Sequence, residues 1–257
     1  MLRSIVHLTA AAVLLGAPAL PAEQKGSDHP ARVQLDAARQ VRQKAFKKSG
    51  EEKRSILEAS IAEYQIVLEK FGKQKDACAE AAFRIGEIER SLGDAQDARE
   101  AFEKVLAFGA EQPTFAARAQ LELGHIARRA DQTDQAIALY QKLLEQYSAQ
   151  ETQAVAALTW IGKLEDRRGQ SDKAREIWLS LADRFPSQPV PAIRAADLAA
   201  LSALKSDDLQ TARQIMQSTQ ERFSEDNQDQ AWWSPAVEEA LGKMKAARKL
   251  QQLQQDG

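Results

Sequence analysis

The sequence repeats itself every 38 residues. Ala98, Ala136, Ala174 and Ala212 are spaced at that interval. Twelve residues before them stand Gly86, Gly124, Gly162 and Ala200, and four residues after them stand Phe102, Tyr140, Trp178 and Met216. The last column extends back to Tyr64. Further columns run in phase: Ala81, Ala119, Ala157 and Ala195; Ile85, Leu123, Ile161 and Ala199; and Tyr147, Phe185 and Phe223, which close successive units. Self-similarity at such a period restricts the chain to stacked supersecondary units, because one unit cannot bury its apolar face alone.

Each unit carries two helical patterns. Phe83, Ile85, Ile88 and Leu92 recur at helical intervals in a first segment, and Ala98, Phe102, Val105 and Leu106 do so in a second. Gly93-Asp94, Asp131-Gln132-Thr133, Gly169-Gln170-Ser171 and Asp207-Asp208 separate the two segments with helix-stop and N-cap chemistry. Pro113, Pro186, Pro189 and Pro191 fall between units. No unit shows the two-residue alternation of a strand. Two antiparallel helices approach closely only where a side chain is small, so the glycine and alanine columns mark the crossing and the large column fills the space beside it.

Apolar-Gly in the first helix (Ile85-Gly86, Leu123-Gly124, Ile161-Gly162), with Ala four residues before an aromatic in the second, resembles the tetratricopeptide repeat. The usual unit of that family is about 34 residues, so each pair here is extended by about a turn. The resemblance implies an all-α, right-handed α-solenoid of about five hairpins with a C-terminal capping helix. The expected division is a degenerate first hairpin over 31–75 and repeats over 76–224, at about 77–109, 115–147, 153–185 and 191–223. Residues 225–257 form the cap. There Ser234-Pro235 starts a helix with an apolar stripe of Leu241, Met244, Ala247 and Leu250. Trp232 and Trp233 either pack beneath this helix or form a docking hot spot.

Residues 1–22 read as a secretory signal peptide: Arg3, an apolar stretch from Ile5 to Leu15, and small-residue cleavage sites after Ala19 or Ala22. The apolar stretch is too short to span a bilayer. Residues 23–30 are a polar linker. The expected address is the periplasm. No Cys stands near the cleavage sites, so the chain is not read as a lipoprotein. The leader, the long period and the Ala-rich joins resemble exported envelope members of the family, such as the Tol–Pal-associated division coordinator and outer-membrane assembly proteins.

Chemistry-bearing motifs are absent from the sequence. The single Cys, Cys78, sits in a column otherwise filled by Ala116, Ala154 and Ala192 and reads as a core residue. Of three histidines only His125 belongs to the array. There is no metal-binding, nucleotide-binding or nucleophile-elbow motif, so no enzyme activity, cofactor or metal is expected. A net charge of −2 lacks the basic footprint of a nucleic-acid binder.

The resemblance places a ligand on the concave face lined by first helices. The residues that would face it are Arg84, Arg118, Glu122, His125, Arg128, Trp160, Lys163, Arg167 and Arg194. Basic residues dominate, and guanidinium groups fork onto carboxylates, so an acidic or C-terminal peptide of an envelope protein is the expected partner. Solvation and ion pairing among helices would explain the same charges. The asparagine clamp by which chaperone-tail-binding members hold a carboxylate is missing, because Asn227 is the single asparagine. The leading expectation is an exported interaction scaffold. The alternatives are a structural homo-oligomer and an accessory subunit binding glycan or peptidoglycan.

Overall fold

The structure is a computed structural model that describes residues 29–109, 111–224 and 233–255. The signal-like leader, most of the linker and Trp232 lie outside these residues. Twelve helices and no strand occur among them: α1 (Pro30–Gln43), α2 (Gly50–Lys70), α3 (Lys75–Leu92), α4 (Ala95–Leu106), α5 (Pro113–Arg129), α6 (Thr133–Gln146), α7 (Glu151–Arg167), α8 (Ser171–Leu179), α9 (Leu181–Arg184), α10 (Pro189–Lys205), α11 (Leu209–Phe223) and α12 (Pro235–Gln255). They form five consecutive hairpins, the fourth having a second arm broken into α8 and α9, followed by α12 packed on α10. None of the described helices is long and apolar enough to cross a membrane.

The turn inside each repeat explains why the helices stop where they do. Gly93, Asp131, Gly169 and Asp207, again 38 residues apart, all take left-handed backbone, with φ of 93°, 57°, 81° and 60°. The next residue donates its N–H five residues back, to the carbonyls of Glu89, Ala127, Glu165 and Ala203. This is the Schellman closure, which satisfies carbonyls orphaned at a helix end. Between units, Pro113 and Pro189 occupy first helical positions, where a missing N–H costs nothing.

Packing assigns the columns their work. A Cβ built on Gly86 would lie 2.7 Å from Phe102 Cε1, one on Gly124 2.3 Å from Tyr140 Cε1, and one on Gly162 2.3 Å from Trp178 Nε1. Each glycine therefore makes room for the ring of its own hairpin, a closer link than the helix crossing expected from spacing. In the last repeat the pair is Ala200 and Met216, where a flexible side chain replaces the flat ring. The alanine columns are buried, as is Cys78, whose thiol donates to the Phe71 carbonyl (3.3 Å) and is pushed up in pKa by burial.

Successive first helices (α1, α3, α5, α7, α10) touch one another, whereas successive second helices are not in comparable contact. The first helices thus form the closely spaced inner layer. The end of the stack is covered by Trp233 and Val237, which join the same core as α10. Asp197 Oδ1 accepts the Ser234 N–H at 2.7 Å and holds the start of α12 in place.

Candidate protein-binding face

The inner layer presents a band of cations and aromatic rings. At its N-terminal end the cations are largely answered by carboxylates. Glu80, nearly buried, lies 2.7 Å from Arg39, 3.2 Å from Arg32 and 3.5 Å from Arg84. Glu87 meets Arg84 at 2.8 Å, Arg42 at 3.2 Å and Arg118 at 3.5 Å, tying α1, α3 and α5 together. Arg118 also lies over the Phe83 ring, 4.1 Å from its centroid. Glu122 pairs with Arg90 at 3.4 Å. Arg84, Arg118 and Glu122 are therefore parts of the inter-helix lattice as well as members of the face.

The middle of the band is different. Trp160, half-buried on α7, carries Arg128 at 4.0 Å and Lys163 at 4.8 Å from its ring, and His125 meets it edge-on at 5.7 Å. His125 is fixed from behind, with Nδ1 2.6 Å from the Tyr140 hydroxyl. Burial first, and then the charges of Arg128, Arg129 and Arg90, lower the imidazole pKa to about 4. Burial raises the Tyr140 phenol to about 12. The phenol thus keeps its proton and the ring is neutral, so the two share a single hydrogen bond between the Tyr140 oxygen and Nδ1. A second-helix side chain reaches through the glycine gap to orient a first-helix side chain.

Beside Trp160 opens a cleft of about 250 Å³ between α7 and α10. Trp178, Leu198 and Leu201 supply apolar wall, and Lys163, Arg167 and Lys205 supply charge. Its one carboxylate, Asp166, accepts hydrogen bonds from Ser202 (2.7 Å) and Ser171 (2.9 Å). The structure thus brings His125, Arg128, Trp160 and Lys163 together and sets Arg167 in the adjoining cleft. Arg194, exposed on α10, has no ion-pair or ring partner among the described residues. Sequence reasoning treated Tyr140 and Trp178 as space-fillers. The signal available was their polar atoms: in a column that tolerates Phe102, a phenol and an indole bring donors that must be satisfied. Lys205 and Ser202 carried no such mark.

Among the described residues no group of three or more His, Cys, Asp or Glu is placed to hold a metal ion. The arrangement offers positive charge beside flat and aliphatic surface, on a rigid layer of helices.

Comparison with known proteins gives the class. The tetratricopeptide repeat family model matches residues 57–113 and 116–189, just over half of the chain. The chain belongs to that family. Its fold is similar to that of MamA, with 19% identity over 79% of this chain and 98% of that one and a TM-score of 0.51. MamA from Desulfovibrio magneticus RS-1 aligns at 19% identity over 77% and 98%, with a TM-score of 0.49. YrrB, a TPR protein with an unusual peptide-binding site, aligns at 17% over 74% and 85%, with a TM-score of 0.47. No curated protein is a significant match.

Proposed function

We propose that this protein is a non-catalytic scaffold that holds an acidic segment of a partner protein on its inner helical layer. The observation that carries this reading is the Trp160 cluster with its adjoining cleft. Three cations surround apolar wall there, while the only carboxylate is already engaged by two serines. Such a surface suits a peptide carboxylate next to an apolar side chain: the cation gives register and the ring gives contact area. The leader-like residues 1–22 support an exported protein working in the periplasm, with envelope assembly or coordination as its setting.

Two measurements test this. Photo-crosslinking from Trp160 in native envelope extract should capture partners that a Lys163→Glu/Arg167→Glu variant, checked by thermal melting for intact fold, no longer captures. Unchanged capture would move binding off this face. Capture of the protein alone would favour the self-associating reading. The address is tested by the intact mass of protein from a periplasmic fraction. Processing after Ala19 or Ala22 is expected, and an unprocessed chain retained inside the cell would overturn the export reading.

A further inference from the structure

The first hairpin breaks the pattern of the others, and the break leaves a cleft. Six residues separate α1 from α2, against two or three inside the later hairpins. The second arm α2 has 21 residues, whereas α4 has 12, α6 has 14 and α11 has 15. Its first turns therefore run past the end of α1. Residues 44–49 fold back over the gap through short-range bonds such as Phe46 N–H to Gln43 C=O, and Lys47 takes left-handed backbone (φ 68°). The result is an open cleft of about 970 Å³ between α1, this turn, α2 and α3.

Its charged lining is wholly cationic: Arg39, Arg42, Lys47, Lys48, Lys53 and Arg84. Neighbouring carboxylates answer four of these. Glu80 and Asp36 take Arg39, Glu87 takes Arg42 and Arg84, and Glu52 takes Lys48. Lys47 and Lys53, both exposed, have no ion pair among the described residues. On the floor lies Tyr64, fully buried, with a hydroxyl that has no hydrogen-bond partner. The same column is satisfied elsewhere, since Tyr140 reaches His125 and Trp178 donates to the Thr159 carbonyl at 3.2 Å. A buried hydroxyl without a partner loses the hydrogen bonds it made to water and gains none in return. On the rim Phe46 is 77% exposed.

We propose that this cleft is a second docking site, separate from the Trp160 cluster, and that it takes an acidic peptide segment. Its carboxylates lie between Lys47 and Lys53, one carboxylate oxygen accepts the Tyr64 O–H, and an apolar residue covers Phe46. The long side chains of Arg42 and Arg84, whose charges act on the Tyr64 hydroxyl, rotate to admit that oxygen. A peptide fits better than a compact anion, because the cations are spread along a large cleft and are joined by an exposed phenyl ring.

The probe is a fluorescein-labelled peptide of alternating Glu pairs and Phe, with its Gln analogue as control, titrated with the full chain at low ionic strength and read by anisotropy. Lys47→Glu/Lys53→Glu should weaken binding about tenfold or more, as expected for charge pairs across an interface. Tyr64→Phe should weaken it several-fold while leaving the melting temperature equal or higher, because the orphan hydroxyl is gone. The titrations are made in a Lys163→Glu/Arg167→Glu background, which removes binding at the Trp160 face, and the same losses should appear there, which separates failure here from failure of the Trp160 reading. Equal binding of the Gln peptide, an unchanged affinity of the Lys47/Lys53 variant, or binding only to anionic lipid vesicles would overturn the proposal.

Discussion

A single methyl group tests the glycine column. Gly124→Ala places a Cβ 2.3 Å from the Tyr140 ring, well inside contact distance, so the ring must move and loosen its bond to His125. Overpacking of this kind costs about 1–3 kcal/mol. Urea unfolding should show that loss, and Gly124→Ala combined with Tyr140→Leu should recover part of it, because the smaller partner vacates the space. Simple additivity would mean that the two positions do not meet. His125 gives a second residue-scale prediction. Its ring is neutral when folded until pH falls to about 4, but titrates near 6.5 when unfolded. Above 6.5 both states are neutral and the residue contributes no pH dependence. As pH falls from 6.5 to 4 the unfolded chain binds the proton first, so stability drops through that window and levels below it. The difference in melting temperature between wild type and His125→Gln should therefore stay constant above pH 6.5 and change between pH 6.5 and 4, with the variant showing the shallower slope. Parallel profiles would remove the buried neutral ring from the account.

At the scale of the element, the repeat turn carries the next prediction. Gly93 and Gly169 stand at left-handed positions with nothing near an added Cβ, so the cost of a side chain there is conformational alone. Gly169→Ala should lower stability by about 1 kcal/mol, the penalty for an L-residue in that region. Asp207→Gly should be neutral or mildly stabilising, since aspartate tolerates the conformation at some cost. Thermal denaturation of the pair checks both signs, and a stabilising Gly169→Ala would contradict the turn geometry. These turns were legible in the sequence because stop chemistry recurs in phase with the packing columns. The inner-layer lattice was only half legible. A run such as Arg84 and Glu87 shows that charges share a helix, but not that Arg42 and Arg118 from neighbouring helices converge on the same carboxylate. The α1–α2 offset was not legible at all. Tyr64 and Phe71 keep the period, so the column hides a first helix that ends early and a turn that has been lengthened to compensate.

The whole molecule is a line of hairpins in which each contacts its neighbours, so damage at one end should stay there. The far end is closed by α12. Trp233 and Val237 cover α10, and Asp197 is buried as the anchor of the Ser234 N–H. The apolar stripe expected on α12 is shifted accordingly. Val237, Ala240, Leu241 and Met244 face the core, whereas Ala247 is exposed. Truncating a buried tryptophan costs about 3–5 kcal/mol. In a solenoid that loss falls first on the terminal unit, because only α10 and its hairpin partner lose their cover. Trp233→Ala should thus raise hydrogen exchange across α10, α11 and α12 by orders of magnitude while protection in α3 to α6 stays near wild type. Uniform loss of protection along the array would instead show that the five hairpins unfold as one cooperative body, and that α12 contributes to the stability of the whole and not of its end.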